Sequence, residues 1–208
     1  KRTQRKNQKK NTINKTNNTQ TKEEKNNHKD NTTKKTTKAT TTKKNTTTNG
    51  GGGMYFMGPI SSSLRTVDIQ ENSGQFGGGI AVNCEEGTCA IVSDGSAQLQ
   101  QNTATNKGGN FYGGSSAQQN CGLAAASSVQ VKNLQLVSGE APNGGGMYLQ
   151  SCAAKVEATV VKGNKATSVS NEGLGGGIFN DQTSLAFKSV IVEDNHAEGS
   201  GAGVFMTG

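Results

Sequence analysis

The sequence predicts an all-β chain: a parallel β-helix solenoid of about five to six rungs, preceded by a disordered tail. Three observations predict it. A glycine triplet recurs six times, an alternating apolar frame lies between successive triplets, and the composition changes abruptly near residue 50.

The composition change sets the domains. Residues 1–49 hold 13 Lys, 2 Arg, 15 Thr and 10 Asn, with Ile13 and Ala39 as their only aliphatic side chains. Such a stretch cannot bury enough apolar surface to offset the entropy of ordering it, so disorder is expected. All 29 glycines lie in residues 50–208, the expected repeat domain. Charge divides at the same place. The tail carries 15 basic and 3 acidic residues (+12), the rest 7 basic and 12 acidic (−5). A mildly acidic body argues against a specific nucleic-acid partner. The tail reads as a solvated linker with weak affinity for anionic polymers. With no apolar run long enough for a spanning helix, membrane association is expected only through parts outside this sequence. The chain does not begin with Met and stops just after a triplet, so the repeat domain is expected to be truncated at its C-terminal end. Neither end shows an obvious polar cap, so the exposed strand edges should fray or aggregate.

The triplets begin at Gly51, Gly77, Gly108, Gly144, Gly175 and Gly201, spaced by 26, 31, 36, 31 and 26 residues. The regular copies are Gly77-Gly78-Gly79, Gly144-Gly145-Gly146 and Gly175-Gly176-Gly177. Between them runs a frame in which apolar residues alternate, slip by two polar residues, alternate again and end in Asn. The clearest copy is Leu185, Phe187, Val190, Val192, Asn195 and Ala197. Others are Ala154, Val156, Thr159, Val161, Asn164 and Ala166, and Val129, Val131, Leu134, Leu136, with Gly139 replacing Asn. The first two fit less well: Ser62, Leu64, Val67, Ile69, Asn72, and Val92, Asp94, Ala97, Leu99, Asn102. Period two means strand. The slip, at Arg65-Thr66, Lys132-Asn133 and Lys188-Ser189, means a bend after which the same face points inward. With the strand after each triplet, a repeat has three strands and three corners. Stacking would line Asn72, Asn102, Asn164 and Asn195 in one column, at a corner where Asn tolerates left-handed backbone. Extra length at about 83–91, 114–127 and 165–174 marks insertions, the first two expected on one side, where loops commonly carry recognition.

These motifs resemble the polymorphic outer membrane protein repeats of Chlamydia, which pair G-G-A-[ILV] with F-x-x-N. Gly77-Gly78-Gly79-Ile80 and Gly175-Gly176-Gly177-Ile178 match the first. Leu99-x-x-Asn102, Val161-x-x-Asn164 and Val192-x-x-Asn195 match the second, although Phe never occupies its first position and Gly replaces Ala in most triplets. The resemblance covers residues 50–208. It implies a right-handed parallel β-helix of the pectin-lyase-like kind, extracellular or on the outer cell surface, acting as a passenger or adhesin.

Candidate sites follow from the columns. The residue after the first apolar position of each triplet motif is Tyr55, Ala81, Tyr112, Tyr148, Phe179 or Phe205, an aromatic ladder that could bind sugar rings or stack on itself. Adjacent rungs bring equivalent residues within disulfide reach, so a bridge is expected between Cys89 and Cys121 or between Cys121 and Cys152. Sequons at Asn14, Asn17, Asn31 and Asn45 would suit a glycosylated stalk. With two histidines and no C-x-x-C pair, neither a metal nor another cofactor is expected. The acids do not recur at one corner, so no catalytic residue is assigned; Asp94, on an inward position, is the one odd acid. The expected function is therefore non-enzymatic: presentation of loops to an unidentified surface partner or glycan. The alternatives are a fragment of a polysaccharide lyase or hydrolase-like enzyme, which would need clustered carboxylates, and a structural spacer.

Overall fold

The computed structural model describes residues 33–85, 87–114, 127–151, 153–167, 173–181 and 183–208. Among them there is no helix, all strand pairing is parallel, and the strands form three sheets. Each repeat contributes to all three in turn. The third sheet takes the strand after each triplet: Met54–Met57, Ile80–Asn83, Phe111–Gly114, Met147–Gln150, Ile178–Asp181 and Val204–Thr207. The first sheet takes the frame, as Ile60–Gln70, Thr88–Gln100, Ser128–Val137, then Ala153–Glu157 with Val160–Lys162, and Ser184–Lys188 with Ile191–Glu193. The second takes the short segments after Asn, from Ser73–Phe76 to His196–Ala197.

Equivalent residues pair directly. Val131, Val156 and Phe187 are neighbours in one column, as are Val129, Ala154 and Leu185. Ile80, Phe111, Met147 and Ile178 form another. These columns line one continuous apolar interior in which Val131, Val156, Phe111 and Leu134 are buried. Removing Leu134 down to Ala would cost about 2–5 kcal/mol, the usual range for a buried Leu.

Three recurrent left-handed residues make the corners. Thr66, Asn133, Ala158 and Ser189 have positive φ at the expected bend. Gly77, Gly108, Gly144, Gly175 and Gly201 open their triplets with positive φ, Gly50 does so just before the first triplet, and a Cβ on Gly77 would lie 1.9 Å from the Ile80 carbonyl oxygen. The third corner corrects an expectation. The residue before Asn, such as Glu71, Gln101 or Asp194, takes the left-handed conformation, as does Ser138 before Gly139, and the Asn itself turns inward.

The inward amides form a ladder. Asn45 donates to Asn72, Asn72 to Asn102, and Asn102 to Asn110; Asn110 donates to Asn164, and Asn164 to Asn195, at 2.9–3.1 Å. From Asn72 onward each amide nitrogen also reaches a neighbouring carbonyl, for example Asn102 to Ile69 and Asn164 to Leu136. Room for the amide comes from the third glycine of the triplet: a Cβ on Gly79, Gly146 or Gly177 would lie 2.8–2.9 Å from the Asn nitrogen of its own repeat. The repeat that departs at both places thereby explains itself. Asn110 replaces the third glycine, Gly139 replaces the Asn, and a Cβ on Gly139 would lie 2.5 Å from Asn110 Nδ2. The two residues have exchanged roles within one repeat.

Other expectations need correction. Strand begins well inside residues 1–49, since Thr33–Lys43 pairs in parallel with Ile60–Gln70 over ten positions. β-branched Thr favours extended backbone without needing a large core. Thr40 and Thr42 fall opposite Val67 and Ile69, a hydroxyl-bearing version of the apolar frame on the first described strand. In the last described repeat Phe187 is 44% exposed, and Ile191 and Met206 more so. Asn45, one of the four sequons, is exposed and donates through its side chain to Asn72, while Asn14, Asn17 and Asn31 lie outside the described residues. In the first two repeats the inward register is Ile60 with Cys89 and Ser62 with Ile91, not Val92 and Asp94. An irregularity between Val92 and Ala97, turning at Gly95 with φ +101°, carries Asp94 out to solvent.

The exchange of roles predicts a double-mutant cycle. Asn110→Gly strips partners from the buried amides of Asn102 and Asn164, costing about 1–3 kcal/mol per unsatisfied group. Gly139→Asn alone forces a clash. The double variant restores the arrangement of the other repeats and should recover most of the loss in urea denaturation; additive destabilisation would refute the exchange.

Candidate functional site

The outward face of the third sheet gathers the candidate residues. Tyr55, Ala81, Tyr112, Tyr148, Phe179 and Phe205 pair in one column. Alternation decides this, because Ile80 and Val82 point into the core and leave position 81 and its equivalents outward. Tyr112, Tyr148 and Phe179 are nevertheless buried, with Tyr148 only 2% exposed. Their rings stack on one another, at 5.9 Å between Tyr112 and Tyr148 and 4.7 Å between Tyr148 and Phe179, and Phe205 continues the stack at 5.3 Å. A one-strand rise of about 4.8 Å suits offset ring stacking, so in-register repeats produce the ladder directly. Only Tyr55, 48% exposed, presents much of its ring to solvent.

Polar groups tie the ladder's edge. The Tyr148 hydroxyl donates to Asp181 Oδ2 at 2.7 Å, and Thr207 donates to the other carboxylate oxygen. Lys107 lies 4.5 Å from the Tyr148 ring centroid and donates to Gln150. Burial pushes the Tyr148 phenol well above its ordinary value, with the Asp181 hydrogen bond adding to it, and pushes Tyr112 up to about 12. Both phenols therefore stay protonated as donors. Burial lowers Lys107, against the opposing pull of Asp181.

The ladder breaks at Ala81. Phe76, one position before Gly77, leans across the gap and packs on Tyr112 at 5.2 Å with its ring tilted by 45°. Tyr55 stands outside the stack, and beside it remains a cavity of about 250 Å³ lined by Asn49, Gly50, Tyr55, Gln75, Phe76, Ala81, Asn83 and Tyr112. The sequence signal was the single alanine in an aromatic column; Phe76, Gln75 and Asn83 carried no periodic signal.

Of the cysteines, Cys84 and Cys89 form a disulfide with Cα atoms 6.0 Å apart. This replaces the expected bridge from Cys89 to Cys121. Gly87, with φ +69°, turns the loop back on itself, while the column neighbours of Cys89 are Ile60 and Val129. Cys121 and Cys152 lie outside the described residues, as do the insertion at 115–126 and residues 168–172 of the third insertion. The insertions at about 83–91 and 114–127 do share an edge, since Asn83 pairs with Gly114 and Thr88 with Ser128. The third leaves the second sheet after Ala166, at another corner.

Elsewhere acids are held by lysines or by local hydrogen bonds. Asp94 accepts from Ser96, which lowers its carboxyl. Glu193 and Asp194 pair with Lys162. Among the described residues no three His, Cys, Asp or Glu side chains gather as a metal set. No protein-family model matches this sequence, and neither the curated proteins nor the solved structures contain a match.

On the outer face of the first sheet Glu157 receives Lys188, Lys132 and Lys155 at 3.2–3.4 Å. Their hydrogen bonds, that from Lys188 foremost, hold its carboxyl down at about 2, against a normal value of 4.5. A carboxyl depressed on folding stabilises the fold above its unfolded value and loses that contribution as pH falls towards the folded one. The difference in melting temperature between the wild type and Glu157→Gln should therefore be level above pH 5, narrow from about 4.5 to about 2, and shrink in molar salt. A gap that stays constant to pH 2 would contradict the assignment.

Proposed function

We propose that residues 33–208 form a right-handed parallel β-helix of the polymorphic outer membrane protein type, acting as a non-enzymatic binding protein outside the cell. Support for the coil comes from the register: triplets lie over triplets, amides over amides, and each repeat visits the three sheets in the same order. The observation that carries the binding reading is the crowding of irregularity along one edge. The insertions of the second and third repeats leave the same corner, and Asn83, where the first begins, also lines the cavity beside Tyr55. Loops projecting from a rigid stack are a common recognition device. The Cys84–Cys89 bridge supports an oxidising location.

The test is a panel of immobilised glycans and extracellular-matrix proteins probed with the full chain. At least one surface should retain it, and replacing residues 85–87, between the bridged cysteines, by Gly-Ser-Gly should weaken retention about tenfold without lowering the melting temperature by more than a few degrees. Retention by no surface would favour a structural spacer.

A further inference from the structure

We propose that the break in the aromatic ladder at Ala81 is a binding slot for one neutral pyranose ring, a reading that rests on the surface-binding function above. The column supplies the geometry. Tyr55 and Tyr112 are two strands apart, a separation of about 9.6 Å at the usual strand spacing, and the intervening position carries only a methyl group. Phe76 takes up the half of that gap nearer Tyr112. The remaining space, about 250 Å³, exceeds the cavity of about 150 Å³ that accommodates benzene and falls below the usual range for larger organic ligands. One substituted six-membered ring fits it.

The lining selects the kind of ring. Tyr55 and Phe76 offer aromatic surface to the apolar C–H face of a sugar. Three amides, on Asn49, Gln75 and Asn83, supply both donors and acceptors for several hydroxyls. A phenyl or phenol side chain would leave most of them unmatched. No charged side chain lines the cavity, which disfavours uronic and sialic acids.

Asn83 is the independent sign of a missing ligand. It is 8% exposed, and its Oδ1 is buried without a hydrogen-bond partner. Its Nδ2 donates to Glu85 Oε1. A carboxylate only accepts, so the nitrogen is committed to that side and the oxygen is the atom left over. Burying an unpartnered carbonyl oxygen costs stability. A hydroxyl arriving in the slot gives it a partner after a small turn of the amide.

Saturation-transfer NMR and titration calorimetry of the full chain with methyl α-D-glucopyranoside, methyl α-D-galactopyranoside and methyl α-D-mannopyranoside test the slot, with p-cresol and sodium glucuronate as comparators. At least one glycoside should bind in the millimolar range. Ala81→Phe, in which the new ring completes the ladder and displaces Phe76 outward, should weaken binding at least tenfold while leaving the melting temperature equal or higher. Tyr55→Ala, at a half-exposed position, should weaken it similarly. Asn83→Leu should raise the melting temperature yet weaken binding, a split that a purely structural role would not produce. Binding of none of the glycosides, binding of p-cresol alone, or glycoside binding unchanged in Ala81→Phe would each overturn the proposal. Surface-panel retention that survives Ala81→Phe but falls on loop replacement would remove the slot and leave the wider binding reading intact.

Discussion

The fold depends on an interlock between an amide and a missing side chain. Parallel strands in register bring like residues together, which penalises charge and favours groups that can both donate and accept. Asparagine meets that demand because its two ends pass a hydrogen bond along the stack indefinitely. The amide needs space that any Cβ on the facing strand would occupy, so glycine is enforced opposite it. Asn110 and Gly139 show that the requirement belongs to the pair: one amide and one glycine per turn of chain, on either strand.

Much of this was legible in sequence. The triplets, the two-residue slip and the outward aromatic column could be read from spacing, because period two and a fixed corner leave little freedom. What was not legible shares a physical cause. In the first repeat Leu64 does continue the alternation into the core, but in the second Val92 and Asp94 only seemed to: an irregularity between Val92 and Ala97 shifted the pairing, and alternation cannot show where an extra residue bulges out. Thr33–Lys43 looked like solvated tail because hydrophobicity was the criterion, whereas an outermost strand needs backbone partners on only one side. The disulfide was misassigned because column contact was weighed above the tight turn at Gly87.

The same stacking that makes the ladder also conceals it. Rings of one strand cover those of the next, so a column that appears to be an exposed adhesive strip becomes a second, smaller apolar core outside the main one. Accessible aromatic surface survives where the repetition fails. Conversely, acids on the outer face of the first sheet are matched by lysines from adjacent strands, as at Glu157.

The two outermost described strands of the first sheet differ in wettability. Thr40, Thr41 and Thr42 lie on the first, beside Lys43 and Lys44, while Phe187 is exposed on the last. An unpaired strand edge invites another strand to dock, and hydroxyls and charges along it weaken that invitation. The protection is confined to one sheet, because Tyr55 and Met57 stand exposed on the first strand of the third.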